Sequence, residues 1–311
     1  MTRKRIIYMG TPAFAVPTLE MLSGREDIDI ALVVTQPDRP AGRGKKLTPP
    51  PVKETAMALN LPLLQTATLR DPDVRERITS IAPDLIVVAA FGMILGKWIL
   101  ELPSLGCVNL HASLLPKYRG ASPISAAILA GDEETGVTLM RMERGLDTGP
   151  MLDNITVPIS SDDTTSSLTP RLAIAAAELL DSRLSDLLND TVEAIPQPEG
   201  ATETRQLIKE DGRIDWNRSA TEIERQVRAM WDWPRAWTEL PHGERMQIHA
   251  ASVDDDDIVS SGEIQITSTG VRIGTGQGSL LLKRVQLPGG KPVEGQAMIQ
   301  KLQSLEVTHI P

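Results

Sequence analysis

The amino-acid sequence predicts an α/β fold: an open, mainly parallel, Rossmann-like sheet followed by a small C-terminal OB-like β-barrel domain. Strand and helix patterns alternate through residues 5–110. The run at 84–90 is continuously apolar and rich in β-branched residues, which is typical of a strand covered on both faces. Beyond residue 189 the pattern changes to short alternating stretches separated by Gly-rich turns. These three features predict two domains of different architecture.

The first domain is expected to span residues 1–189, with helices on both sides of its sheet. Ligands of such sheets bind at the carboxyl ends of the strands, where Gly10, Phe91 and His111 fall. The predicted strands are 5–9, 28–35, 61–64, 84–90, 107–110, 135–142 and 151–158, the last antiparallel and at an edge. The predicted helices are 13–22, 52–59, 71–81, 96–102, 122–129 and 163–188.

The second domain is expected at residues 209–311, after a linker at 190–208. The linker contains Pro196, Pro198 and Gly200 and has little periodicity. A helix is predicted at 220–230, and short strands at 237–240, 246–251, 262–267, 271–274 and 279–287. This number of short strands indicates a small closed barrel, a scaffold that often binds nucleic acid.

Composition excludes several classes of protein. The net charge of −9 argues against a nucleic-acid partner unless basic residues are concentrated locally. Cys107 is the single cysteine and lies in an apolar run, so it is expected to be a core residue in a reducing compartment. Gly10 and Pro12 make the first apolar run too short for a signal peptide, and the run at 85–95 is too short to cross a bilayer. A soluble cytoplasmic protein without membrane contact is expected.

The turn that contains Gly10, Thr11 and Pro12 does not indicate a nicotinamide site. It lacks the G-x-G-x-x-G spacing, and Pro12 removes a backbone donor that a phosphate cradle would use.

Three polar residues are the candidate catalytic set. Asn109 and His111 are two positions apart on a predicted strand, so their side chains point the same way. Asp147 follows in the Gly-rich turn at 145–150. An amide donor, an imidazole and a carboxylate can move an acyl group onto an amine without a covalent enzyme intermediate. Alternatively, Asn109 and His111 cap a strand end and Asp147 closes a turn.

A basic segment follows the second predicted strand. Residues 36–53 carry five cations, and Asp38 is the one acid among the first seventeen of these residues. The segment leaves the sheet at its expected ligand-binding edge, which favours contact with RNA over a purely solvated surface. The cations are Arg39, Arg43, Lys45, Lys46 and Lys53.

Several motifs resemble the folate-dependent formyltransferases. They are MGTPAFAVP, VVTQPDRPAGRGKKLTPPPVK, NLHASLLPKYRGASPI and GLDTGPM. With the second domain included, the resemblance covers essentially the whole chain. It implies a sheet of the formyltransferase type, 10-formyltetrahydrofolate as co-substrate, no metal, and Asn109, His111 and Asp147 as the catalytic residues.

The same resemblance implies a folate site along the loop after His111. For Met93 and Leu139 a simple core role remains equally open. The candidate contacts are Ser113, Leu114, Leu115 and Pro116 in the loop, Phe91, Met93 and Leu139 as apolar walls, and backbone groups near Arg141 and Leu146.

The basic segment and the C-terminal barrel are similar to the branch of the family that uses tRNA. They imply initiator methionyl-tRNA as the acceptor, and a monomer is expected. One departure lies at Met230–Pro234, where a turn of the type Asn-Pro-Trp-Pro is expected but the chain reads MWDWP. The candidate nucleic-acid contacts are Arg39, Arg43, Lys45, Lys46 and Lys209, with weaker support for Arg205, Lys283 and Arg284.

Three other functions stay open at this stage. The chain could formylate a small amine such as an amino sugar or a purine precursor, for which neither the basic segment nor the barrel is needed. It could hydrolyse formyl folate with water as the nucleophile. It could also be a tRNA-binding protein without activity, against which the intact Asn109, His111 and Asp147 argue.

Overall fold

The computed structural model describes residues 3–41, 44, 46–241, 243–254, 260–268 and 270–310. The chain divides into two compact units. The N-terminal unit comprises Met1–Pro123, Glu134–Pro158 and Thr169–Thr204, and the C-terminal unit comprises Ile124–Glu133, Ile159–Leu168 and Arg205–Pro311. The predicted domain limits at 189 and 208 remain predictions. Among the described residues, no helix has both the length and the apolar character needed to span a membrane.

Strands and helices alternate through the N-terminal half, and short strands dominate beyond residue 230. The strands are β1 Lys4–Gly10, β2 Ile28–Thr35, β3 Arg39–Ala41, β4 Lys46–Thr48, β5 Leu63–Gln65, β6 Leu85–Ala89, β7 Cys107–His111, β8 Arg119–Gly120, β9 Glu134–Arg141, β10 Met151–Pro158, β11 Glu203–Thr204, β12 Ala236–Glu239, β13 Arg245–Asp254, β14 Ile264–Ile266, β15 Val271–Gly274, β16 Ser279–Gln286 and β17 Val293–Glu294. The helices are α1 Val16–Ser23, α2 Pro51–Ala58, α3 Pro72–Ile81, α4 Lys97–Leu100, α5 Pro123–Ala130, α6 Thr165–Leu188, α7 Ala220–Ala229 and α8 Gly295–Gln303.

The N-terminal unit is built on a seven-stranded sheet of order β10-β9-β7-β6-β1-β2-β5. The strands from β7 to β5 run parallel. The strand β9 is antiparallel to both β7 and β10. The predicted open, mainly parallel sheet is therefore confirmed, as is the antiparallel edge position of β10.

The central strands are apolar without interruption because both faces of the sheet are covered. Ile6 and Ile7 on β1 are fully buried, and so are Ile86 and Val87 on β6. Adjacent side chains of a strand point to opposite faces, so burial of neighbouring residues requires cover on both sides.

Side chains tie three strand exits together at the carboxyl edge of this sheet. The carbonyl oxygen of Phe91, just after β6, accepts a hydrogen bond from Thr11 Oγ1 at 3.0 Å and another from Gln36 Nε2 at 2.9 Å. Thr11 follows β1 and Gln36 follows β2. The loops that leave β1, β2 and β6 are therefore held against one another beside the end of β7.

The basic segment at residues 36–53 contains a small β-hairpin. Strands β3 and β4 pair antiparallel, with Arg39 opposite Thr48 and Lys46 opposite Ala41. Arg43 and Lys45 lie outside the described residues. Lys53 contacts the carboxylate of Asp38 at 2.8 Å, and Gln65 donates to the same carboxylate. These two donors lower the pKa of Asp38, and the charge of Lys53 is matched within the N-terminal unit.

The C-terminal unit contains an antiparallel sheet of order β12-β13-β16-β15-β14, with β17 added to β16. This sheet confirms the predicted β-rich second domain. Among the described residues, the two outer strands of this sheet, β12 and β14, do not pair with each other. The predicted closed barrel is therefore open between these two strands. Ser219 and Glu222 cap the start of α7 by reciprocal hydrogen bonds. The buried core of the unit includes Trp216, Ile223, Val227, Ile248, Ile273, Leu280, Val285 and Ile299.

Cys107 provides a direct test of burial at the start of β7. Its side chain is 2% exposed, and burial raises the pKa of its thiol to about 12 because the thiolate would lose its hydration. We expect a thiol reagent at neutral pH to modify the native protein at least about 100-fold more slowly than the denatured chain, which carries the same single cysteine. Absorbance of the released chromophore measures both rates. Equal rates would show that β7 is not packed as described.

Candidate active site

Asn109 and His111 lie within the last three residues of β7, at the carboxyl edge of the sheet. Asn109 pairs with Val88 on β6 and with Met140 on β9, and His111 pairs with Thr138 on β9. Their exposed fractions are only 9% and 6%. The strand therefore fixes the backbone of both residues in a region largely shielded from water.

Asp147 reaches this strand end from the turn between β9 and β10. Its backbone has a positive φ of 53°, a conformation that costs a residue with a Cβ about 1–2 kcal/mol. The turn also approaches β9 so closely that a Cβ on Gly149 would lie 2.0 Å from the Arg141 carbonyl oxygen. Gly149 is therefore required for the close packing that directs Asp147 towards β7.

The carboxylate of Asp147 is the meeting point of the site. Its Oδ2 accepts a hydrogen bond from the Gly120 amide at 2.8 Å and lies 3.6 Å from His111 Nδ1. Its Oδ1 lies 3.4 Å from Asn109 Nδ2, which donates to it. The side chain is 15% exposed. The three predicted catalytic residues are thus brought together, with one carboxylate facing both partners.

One hydrogen bond holds the imidazole of His111, and its other ring nitrogen faces the Asp147 carboxylate. Its Nε2 lies 2.9 Å from the carbonyl oxygen of Tyr118. A carbonyl can only accept, so this contact requires a proton on Nε2. Because Tyr118 takes that N–H, the predicted second donor from His111 to a substrate oxygen would have to be Nδ1, or an Nε2 that has left this contact. Asn109 has two amide N–H groups, and its contact with Asp147 uses one.

Sequence reasoning missed three residues that complete the geometry. The Tyr118 carbonyl accepts a hydrogen bond from His111, and the Gly120 amide donates one to the Asp147 carboxylate. The Gln197 side chain donates to the backbone of the Asp147 turn. Gln197 lies in the stretch predicted to be a linker. The flanking Pro196 and Pro198 were the available signal, because two prolines favour an extended backbone that can present one side chain inward.

The loop that follows His111 is well anchored, as a folate-binding loop would need to be. Ser113 is fully buried, and its hydroxyl donates to the carbonyl of Lys117 at 2.6 Å. Thr138 Oγ1 donates to the Ser113 carbonyl and accepts from the Leu115 amide. A Cβ on Gly136 would lie 2.5 Å from Leu114 Cδ2, so β9 makes room for that side chain.

The remaining folate candidates differ in accessibility. Phe91 and Leu139 are 2% and 0% exposed, and Met93, which is half-buried, packs against the core cluster that contains Phe91. Burial favours a core role for Phe91 and Leu139, and the contact of all three side chains with folate stays a prediction. The guanidinium of Arg141 donates to the Leu105 carbonyl and to the Asp190 carboxylate. Its backbone amide donates to the Pro150 carbonyl. The backbone amide of Arg141 is therefore already paired.

The chemistry of the site fits a formyl folate. Ile94, in the loop after β6, is 91% exposed, and Leu146, next to Asp147, is 56% exposed. Exposed apolar side chains in the turn of Asp147 and in the loop after β6, the strand next to β7, suit a ligand with a flat apolar ring and a polar reactive group.

The candidate nucleic-acid contacts lie in both units. Arg39 and Lys46 are exposed on the β3–β4 hairpin. In the C-terminal unit Lys209 is exposed and lines a cavity of about 150 Å³ with Arg245 and Trp237. The Arg245 guanidinium lies over the Trp237 ring at 3.8 Å. Cations beside an aromatic face are a common surface for nucleic acids.

No group of three or more His, Cys, Asp or Glu side chains within the described ranges could hold a metal ion. The absence of a metal from the reaction remains a prediction.

The chain matches known proteins over most of its length. Residues 4–184 match the family model described as Formyl transferase, and residues 206–303 match its C-terminal domain. The chain is 46% identical over 292 residues to the methionyl-tRNA formyltransferase of Stutzerimonas stutzeri (strain A1501), covering 93% of this chain and 92% of the relative. It is 45% identical over 308 residues to the methionyl-tRNA formyltransferase of Xylella fastidiosa (strain M23), covering 97% and 99%.

The fold also matches solved structures. The N-formyltransferase from Helicobacter canadensis in complex with folinic acid and dTDP-3-aminofucose has a TM-score of 0.67 at 19% identity, covering 90% of this chain and 99% of that one. A similarity at this identity shows a shared fold. The two matched domains and the near-complete coverage of relatives at 45% and 46% identity show that the chain belongs to the formyltransferase family.

Proposed function

We propose that this protein transfers the formyl group of 10-formyltetrahydrofolate to the free amino group of initiator methionyl-tRNA. The product is N-formylmethionyl-tRNA for translation initiation. The observation that carries the proposal is that Asn109 and His111 both face the carboxylate of Asp147 at the carboxyl edge of the sheet. The full-length relatives at 45% and 46% identity support methionyl-tRNA as the acceptor.

Asn109 stabilises the charge that develops during transfer. When the amine attacks the formyl carbon, negative charge grows on the formyl oxygen. The bond between that carbon and N10 of the folate then breaks, and the folate leaves as tetrahydrofolate once N10 has taken up a proton in place of the one that the amine loses. The second N–H of Asn109 donates to that oxygen from a side chain that is 9% exposed, where competing water is largely excluded. One such donor is typically worth about 3 kcal/mol of barrier.

Asp147 accepts the proton that the attacking nitrogen loses, directly or through one water. The Gly120 amide and Asn109 hold its carboxylate in place, and its side chain keeps 15% of its exposure for the incoming amine. His111 keeps its orientation through Tyr118 and presents Nδ1 to the same carboxylate.

Formyl folate supplies the activated formyl carbon when it is bound. The chain's own contribution is the anchored loop from Ser113 to Pro116 and the exposed apolar side chains of Ile94 and Leu146. Contacts from Leu114, Leu115 and the other folate candidates belong to the proposal.

The β3–β4 hairpin recognises the acceptor end of the tRNA. A chain of net charge −9 repels a polyanion at long range, so docking requires a local positive surface near the reacting amine. The hairpin leaves the carboxyl edge of the sheet just after β2, and Gln36 at its base is tied to Phe91. Lys209 and its cavity provide a second contact in the C-terminal unit. A monomer that works in the cytoplasm, where charged tRNA is available, completes the proposal.

A panel of acceptors tests the reaction directly. The protein is incubated with 10-formyltetrahydrofolate and, separately, methionyl-tRNA, an amino sugar nucleotide, a purine precursor amine and water alone. We expect a mass increase of one formyl group on methionyl-tRNA only, because the hairpin and the second domain serve a large anionic acceptor. Formylation of a small amine alone, or release of formate without acceptor, would replace the proposal with one of the alternatives.

Asn109→Ala tests the oxyanion donor. We expect kcat to fall about 10²- to 10³-fold with little change in Tm, because the long Asn109–Asp147 contact adds little to stability. The variant Asn109→Ala/Asp147→Ala should lose less than the product of the single losses if the residues act as a unit. Asn154→Ala, on the exposed side of β10, is the matched control. Near wild-type kcat of Asn109→Ala with both substrates saturating would remove its catalytic role.

The salt dependence of kcat/KM tests the hairpin. Replacing Arg39, Arg43, Lys45 and Lys46 by Ala should raise the KM for tRNA and flatten the slope of log(kcat/KM) against log[salt]. Each lost phosphate contact lowers the slope by up to about one. Affinity for formyl folate should change little. Lys4→Ala, at the amino end of β1 and thus at the opposite edge of the sheet, is the control. Unchanged slope and KM would mean that the hairpin is only a solvated charged surface.

A further inference from the structure

The backbone of the Asp147 turn is held by one amide side chain. Gln197 Nε2 donates to the carbonyl oxygen of Asp147 at 2.7 Å and to that of Gly149 at 2.8 Å. The two N–H groups of a single amide therefore clamp carbonyls on either side of Thr148. The turn contains the positive φ of Asp147, so an opposing restraint is needed to keep that conformation populated.

Arg119 fixes which way the Gln197 amide faces. The guanidinium donates twice to Gln197 Oε1, from Nε at 3.0 Å and from Nη2 at 2.7 Å. An arginine has donors only, so the oxygen of Gln197 must face Arg119 and the nitrogen must face the turn. With two donors and two accepted bonds in use, the amide of Gln197 is fully satisfied.

The same stretch of chain also holds the partner of His111. Strand β11 pairs parallel with β8, with Glu203 opposite Arg119. Thr202 Oγ1 accepts from the amide of Tyr118, whose carbonyl faces His111 Nε2. Residues 197–204 thus contact the supports of both His111 and Asp147.

The burial pattern singles out Gln197 within this stretch. All other residues from Glu193 to Glu203 are exposed, whereas Gln197 is half-buried. Two backbone hydrogen bonds between Ile195 and Met151 hold the stretch beside the start of β10, and Gln197 adds its side-chain hydrogen bonds to the Asp147 turn.

We propose that Gln197 is a positioning residue for Asp147, with Arg119 as the residue that orients its amide. Gln197 does not touch the reacting atoms and acts through the turn that it clamps. The inference rests on the proposed formyl transfer for its effect on rate. Displacement of a reacting group by about 1 Å can cost about 10²-fold in rate, so a released turn is expected to affect kcat.

Gln197→Glu separates this role from packing. The substitution keeps the size of the side chain and strengthens its contact with Arg119. It places a carboxylate oxygen, which cannot donate, against two carbonyl oxygens. We expect kcat to fall about 10²-fold with unchanged KM for formyl folate and tRNA, because substrate contacts stay in place. Glu199→Gln, two residues along on the exposed chain, is the matched control and should keep wild-type kcat.

A double-mutant cycle tests whether Gln197 acts through Asp147. In an Asp147→Asn background, Gln197→Glu should produce no further loss of kcat, because the group that it positions has been removed. An equal loss in both backgrounds would mean a general structural effect and would overturn the proposal, as would a kcat of Gln197→Glu within twofold of wild type. If Gln197→Glu does not fold, Arg119→Lys, which loses the two-pronged donor, replaces it with the same expected pattern.

An exchange measurement gives an answer that does not depend on activity. The Gly120 amide donates to Asp147 Oδ2, so its hydrogen exchange, followed by NMR, reports whether the carboxylate is in place. We expect faster exchange of Gly120 in Gln197→Glu than in Glu199→Gln. Unchanged exchange would overturn the positioning role. Absence of formyl transfer by the wild-type protein would instead refute the proposed function, while the exchange result would still decide the role of Gln197.

Discussion

The hydrogen bond from the Gly120 amide to the Asp147 carboxylate is the contact on which the site depends. It joins strand β8 to the turn between β9 and β10, and it leaves Oδ1 of Asp147 for Asn109 on β7. Three segments that are distant in sequence therefore meet at one carboxylate. Without this contact, Asn109 and His111 would remain on β7 but would face no shared acceptor.

Holding that carboxylate requires an unfavourable backbone conformation. Asp147 adopts a positive φ between Gly145 and Gly149, and both glycines lie where a Cβ would meet neighbouring atoms at close to 2 Å. The cost of about 1–2 kcal/mol for a left-handed residue is offset locally by hydrogen bonds, including those from Gln197. Strain at a functional turn is thus accompanied by a clamp from another part of the chain.

Within the N-terminal unit, the candidate catalytic groups and the exposed cations differ in burial. The candidate catalytic groups lie at the end of a buried sheet, where low exposure strengthens their electrostatic interactions. Arg39 and Lys46 are carried on a short exposed hairpin, whereas Lys53 is matched by Asp38. Counting cations in the sequence overstated the free positive charge, because a salt bridge depends on which side chains meet in the fold.

The sequence by itself determined the strand–helix alternation, the parallel sheet and the place of Asn109 and His111 on β7, because period and turn residues are local properties of the chain. Only the tertiary structure decided that a residue of the predicted linker, Gln197, forms hydrogen bonds with the Asp147 turn. Gln197 lies 50 residues from Asp147 and Arg119 lies 78 residues from Gln197, and no periodicity links side chains over such separations. It also decided that His111 Nε2 faces Tyr118, since the path of a loop depends on the long-range hydrogen bonds that anchor it.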